Sequence, residues 1–117
     1  MTVPTGWSAK PIRIVRFPSG NIDYLGFSGT APETEAGRTY LIQAVVPNGD
    51  GTKRVLAQAE VRIGSHGYFN GRYGWSLGHD APNGAEYTYE IRATPGEKFA
   101  PTGPSFPIGT GTTTVQL

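Results

Sequence analysis

Gly74-Trp75-Ser76-Leu77-Gly78 has the G-x-S-x-G spacing of a nucleophile elbow, and His79 and Asp80 follow it directly. An elbow works because a strand, a sharp turn and a helix N-terminus expose the serine beside oxyanion donors. Here Ser76 runs instead into Pro82-Asn83-Gly84 and then an alternating, strand-like segment. Adjacent His79 and Asp80 are poorly placed for an oriented relay, whose members come from separated chain positions. The plainer reading puts Trp75 and Leu77 on one apolar face and turns Ser76 to solvent. Other candidate chemistry fares no better. His66 and His79 sit in separate Gly-flanked loops without a third ligand at metal spacing. Asn48-Gly49-Asp50-Gly51-Thr52 starts like a calcium loop but lacks the downstream glutamate, so it reads as a turn. Gly109-Thr110-Gly111 lacks the lysine and helix of a phosphate loop. Glu60, Glu86 and Glu90 fall on polar strand faces, where cross-strand pairs with Arg62 and Arg92 are expected rather than paired-carboxylate catalysis. The reading is therefore of a protein without catalytic residues, metal or cofactor.

Binding is the remaining chemistry. Tyr68, Phe69, Tyr73 and Trp75 cluster in sequence. Exposed, they would form a stacking platform for sugar rings; buried, they would fill a core. Trp7, Lys10, Arg13 and Arg16 give the N-terminal segment three positive charges and one aromatic anchor. That ring can fasten the segment to its own domain or to a partner. Val115 and Leu117 lie in a Thr-rich C-terminal tail that could extend a neighbouring sheet edge. The expected contacts are thus Trp7, Lys10, Arg13, Arg16, Val115 and Leu117 for a protein partner, and Tyr68, Phe69 and Tyr73 for a surface or glycan.

The elements that must position these residues are strands. In residues 85–94, Tyr87, Tyr89, Ile91 and Ala93 alternate with Glu86, Thr88, Glu90 and Arg92, which is the period of a half-buried strand. In residues 55–63, Val55, Ala57, Ala59, Val61 and Ile63 alternate with Leu56, Gln58, Glu60 and Arg62. Residues 39–46 carry apolar side chains on both faces. Weaker strands are expected at 12–17, 22–28, 68–77, 106–108 and 112–117, with Gly71 and Gly74 marking a bend or bulge. Pro47-Asn48-Gly49-Asp50-Gly51 reads as a hairpin turn, and residues 94–104 as a long irregular connection. Residues 31–37 offer at most one turn of helix.

Composition agrees. The 117 residues include 17 Gly and 10 Pro, about double their ordinary combined share, which breaks helices and makes turns. The absence of cysteine excludes disulfides, thiol nucleophiles and zinc–thiolate sites. A net charge of +1 argues against nucleic acid or an anionic membrane as the main partner. The first twenty residues lack the apolar stretch of a signal peptide, being interrupted by Pro4, Pro11 and Pro18. No segment is apolar for long enough to span a bilayer as a helix. Together these predict one all-β antiparallel sandwich of about seven strands: an arm at 1–11, the sandwich at 12–109 and a tail or last strand at 110–117.

The order of signals adds a resemblance. Phe27-Ser28-Gly29-Thr30-Ala31, a strand–hairpin–strand, Gly74-Trp75-Ser76-Leu77 and then residues 84–93 (GAEYTYEIRA) resemble bacterial immunoglobulin-like domains across roughly residues 22–108. The last segment is similar to a strand of fibronectin type III domains. The resemblance implies an immunoglobulin-like sandwich with Tyr87 as a candidate corner tyrosine reaching back near Ala81 or Pro82. It also implies a binding or spacing module like those of tailed-phage virions, on capsid or tail. On that reading the chain assembles in the host cytoplasm, becomes part of the virion, and docks on a major capsid or tail protein or on copies of itself. A carbohydrate- or cell-surface-binding adhesin module is the alternative.

Overall fold

The computed structural model describes residues 3–19, 22–47, 49–74 and 85–115. In chain order the strands are β1 (Ser8–Ala9), β2 (Arg13–Arg16), β3 (Ile22–Thr30), β4 (Thr39–Pro47), β5 (Lys53–Arg62), β6 (Tyr68–Gly74), β7 (Ala85–Glu97), β8 (Ala100–Pro101) and β9 (Phe106–Val115). The smaller sheet holds β1, β2, β3 and β6; the larger holds β4, β5, β7, β8 and β9. Every pairing is antiparallel. Thr30 pairs with both Ser8 and Tyr68, and Gly26 with both Arg13 and Arg72. Therefore β1 and β2 run end to end along one edge of β3, with β6 along the other. β8 and β9 likewise share one side of β7, opposite β4. Among the described residues the nine strands thus form seven rows, three in one sheet and four in the other. The expected all-β antiparallel sandwich is what the chain forms. Among the described residues no helix is long and apolar enough to cross a membrane.

Alternation builds the core. Leu25 and Phe27 from β3, Tyr40, Ile42 and Ala44 from β4, and Tyr89, Ile91 and Ala93 from β7 all point between the sheets. The helical segment is a single 3-10 turn at Glu33–Glu35. Gly49 and Gly51 both adopt positive φ in the β4–β5 hairpin, and the Thr52 N–H donates to the Asp50 carboxylate at 2.9 Å.

Several details depart from the sequence pattern. The register shifts in β5 between its pairings with Ala44 and Val45, so Leu56 is an extra residue in the ladder. This bulge reverses the alternation: Leu56 is buried in the core while Val55 is exposed. Gly71 marks no bulge, because β6 pairs with β3 without a shift from Tyr68 to Gly74. Its role is space: a Cβ there would lie 2.8 Å from Val61 Cγ1 and 3.0 Å from Ala59 Cβ on the facing sheet. Residues 106–115 form one strand rather than two. The connection at 94–104 is not irregular throughout, because β7 continues to Glu97 and turns back through β8. Residues 8–9 of the expected arm are paired into the smaller sheet, and the Lys10 N–H donates to the Ser28 carbonyl at 2.9 Å.

One bond joins the two sheets through the interior. Pro11 interrupts the first row, and the Ile12 N–H leaves the ladder to donate to the Tyr89 hydroxyl at 2.7 Å. Tyr89 is 1% exposed. Its hydroxyl needs the space above Gly111, where a Cβ would stand 2.3 Å from that oxygen. Tyr89→Phe strands a buried N–H and is expected to cost about 1–3 kcal/mol. Gly111→Ala forces the ring out of place, at about 1–3 kcal/mol of overpacking. Denaturant midpoints of the two variants against the parent chain test both values.

Candidate functional site

The period of two decides which sequence-predicted contacts reach solvent. On β6, Phe69 pairs with Gly29 and Tyr73 with Leu25, both pointing inward. Phe69 is 4% exposed, and Tyr73 is half-buried against the core. Neither offers its ring as a platform. Tyr68, their neighbour on the opposite face, is 67% exposed. The structure therefore does not bring Tyr68, Phe69 and Tyr73 together as one surface.

Trp7 is also inside. It packs edge-to-face on Tyr40 at 4.8 Å and on Phe106 at 5.0 Å, and closes one end of the sandwich. Of the two roles open to it, the ring takes the one on its own domain. Lys10 and Arg13, by contrast, are exposed on the outer face of the smaller sheet. Arg16 ends β2 and Val115 ends β9, opposite Ala85. The arrangement of the Arg16 and Val115 side chains, Leu117, and the sequence motif around Trp75, Ser76, His79 and Asp80 lie outside the described residues, as does the Tyr87 side chain. His66 is exposed in a turn.

The outer face of the smaller sheet gathers residues from three rows. Across it run Ser8–Thr30–Tyr68, then Arg13–Gly26–Arg72, then Val15–Tyr24–Gly74. Lys10 and Asn70 flank Ser28 between the first two of these sets. The central strand contributes only small side chains at 26, 28 and 30, so the flanking rows stand above it as walls. Arg72 stacks on the Tyr24 ring at 4.4 Å. Two shallow depressions follow, of about 270 and 250 Å³, sharing Ser28 and Asn70.

The larger sheet has a different character. On its outer face Glu90 pairs with Arg92 and, at 3.6 Å, with Lys53. Burial raises the Glu90 carboxyl, but the Arg92 hydrogen bond and the Lys53 charge outweigh it and hold the group below its ordinary range. Arg92 also donates to the Ser105 hydroxyl and carbonyl, each at 3.1 Å. Glu60 pairs not with Arg62, as expected, but with the backbone: it accepts the Lys98 N–H at 2.7 Å. That bond fastens the β7–β8 hairpin to β5. At the hairpin tip Phe99 is 90% exposed, with the Lys98 ammonium 5.1 Å from its ring centre. Sequence reasoning passed over Phe99; the signal was a lone aromatic in a Pro- and Gly-punctuated turn.

Among the described residues no group of three His, Asp or Glu side chains is placed to hold a metal ion. Comparison with protein-family models, with curated proteins and with solved structures finds no match to this chain. The fold and its surfaces define a two-sheet antiparallel sandwich carrying a basic trough on one face and an aromatic hairpin on the other sheet.

At the end closed by Trp7, the Tyr40 hydroxyl donates to Glu35, whose carboxylate also faces Arg38 at 3.7 Å. Burial first, then the Glu35 hydrogen bond and charge, push the Tyr40 phenol from 10.0 up to about 12. A phenol raised in the folded state favours folding while it stays protonated. Its contribution is complete below pH 10 and is lost as pH rises toward 12. The stability difference between the parent and Tyr40→Phe is therefore expected to be flat through neutral pH and to shrink above pH 10, as read by urea titrations at stepped pH.

Proposed function

We propose that this chain is a non-enzymatic structural and binding module of the immunoglobulin-like type, an accessory protein of a bacteriophage virion that docks on other proteins of the capsid or tail. The seven rows, three facing four, support the immunoglobulin-like reading. The observation that carries the docking role is Phe99, an almost fully exposed ring on a two-strand hairpin tied down by Glu60. A large aromatic held in water by a braced hairpin keeps its apolar area for a pocket on a partner, and loses little side-chain freedom on docking. The partner supplies that pocket as a repeated site on the particle.

The test uses particles made from the genome that encodes the chain. Mass spectrometry and immunogold labelling are expected to find the chain on purified virions. Phe99→Ala leaves the melting temperature unchanged, because the ring makes no core contact. An anchor of this kind contributes about 2 kcal/mol or more, so particle occupancy at limiting protein falls more than tenfold. Virions that lack the chain would overturn the virion reading, and unchanged occupancy in the variant would overturn the role of Phe99.

A further inference from the structure

We propose that the outer face of the smaller sheet is a binding site for an extended acidic glycan, a polysaccharide bearing carboxylates at intervals along a hydroxyl-rich chain. The site lies on a different sheet from Phe99 and stands independently of the docking role.

Shape comes first. The trough runs along the central strand, floored by its Gly26, Ser28 and Thr30. It admits a linear polymer along the strand rather than enclosing a small molecule. Adjacent rows lie about 4.8 Å apart, so Arg13 and Arg72, one row either side of Gly26, face each other across about 10 Å. A Cβ at Gly26 would reach van der Waals contact with Arg13 and Tyr24 at 3.6–3.7 Å, so the floor there lies in a gap between these two side chains.

Charge comes next. Lys10, Arg13 and Arg72 are all exposed on this face, and its described side chains include no carboxylate. On the other sheet Glu90 is engaged with Lys53 and Arg92, and Glu60 with the Lys98 N–H. Among the described side chains the trough is therefore lined by positive charge alone, in a chain of net charge only +1. Guanidinium groups suit carboxylates because their forked N–H donors match the two oxygens.

The neutral groups decide the class of polyanion. Ser8, Ser28, Thr30 and Asn70 set hydroxyl and amide groups along the walls and floor, where sugar hydroxyls find donors and acceptors. Tyr68, in the β6 wall, offers an exposed flat ring, while Tyr24 in the central row carries the Arg72 guanidinium on its face. Duplex DNA carries one charge per about 1.7 Å, and its binding relies on many phosphate contacts. Three cations match a sparsely charged chain better than a nucleic acid.

Isothermal titration of the full chain with oligogalacturonate at low salt is expected to give saturable binding that weakens as salt is raised. A neutral malto-oligosaccharide of equal length is expected to give none. The pair R13Q/R72Q loses at least tenfold in affinity, and Tyr68→Ala loses several-fold. The pair K53Q/K98Q removes the same charge from the other sheet and leaves affinity unchanged. All these side chains are exposed or lie outside the core, so unchanged melting temperatures verify that each variant is folded. Three outcomes would overturn the proposal. They are no saturable binding of oligogalacturonate, equal loss in K53Q/K98Q, and single-stranded DNA binding as tightly with the same loss in R13Q/R72Q.

Discussion

The fold depends on what happens to a single backbone N–H. Pro11 cannot donate to the ladder, and it turns the first row so that the Ile12 N–H faces the interior. A buried donor without an acceptor is expensive, and no strand of the smaller sheet supplies one. Tyr89 does, from an inner row of the opposite sheet, and its hydroxyl closes a bond at 2.7 Å. The net gain of such a bond is small, about 1 kcal/mol, but leaving either group unmet costs more. The bond therefore acts as a constraint on geometry. Sheet spacing, the position of Pro11 and the space above Gly111 must all agree with it.

That constraint explains Gly111, and close approach elsewhere explains two further glycines that make no turn. Gly111 stands opposite Tyr89 and leaves space for its ring. At Gly109 a Cβ would lie 3.0 Å from the Ala9 carbonyl, where the first and last rows approach. At Gly29 it would lie 2.2 Å from the Ser8 carbonyl and 2.8 Å from Phe69. These residues sit inside strands, where glycine ordinarily weakens structure. Here they permit close approach of backbones and rings, and the gain in packing offsets the lost propensity. With no cysteine to staple the sheets, the Trp7–Tyr40–Phe106 cluster closes one end of the sandwich by aromatic packing.

The strands themselves were legible because burial on one face imposes a period of two. Tyr89, Ile91 and Ala93 stand where alternation puts them. What alternation cannot carry is an insertion. Leu56 and Val55 exchange faces because a bulge adds one residue, and nothing in the order Val55-Leu56-Ala57 distinguishes the two phases. The aromatic run at 68–73 was visible as a cluster, but a strand divides any such cluster between its faces. Tyr68 went out, and Phe69 and Tyr73 went in. Phe99 was hidden for the opposite reason, since a ring among Pro, Gly and charged residues carries no periodicity at all. Arg72 and Tyr24 meet only through the β3–β6 pairing, a non-local contact that no local pattern encodes.

The same row that locks the sandwich also carries the cations of the trough. Lys10 and Arg13 flank Pro11 and Ile12, so turning Ile12 inward fixes the direction of its neighbours. The Lys10 N–H is held to Ser28, and Arg13 is paired with Gly26, both on the outer side of the same strand. An edge row this short would ordinarily fray and carry its charges with it. The Tyr89 bond opposes that by anchoring the row from beneath, at the point between its two cations. Exposed charges positioned by a buried bond keep their spacing at little entropic cost on binding. The interior and the basic face are therefore one design problem, solved by four consecutive residues, Lys10, Pro11, Ile12 and Arg13.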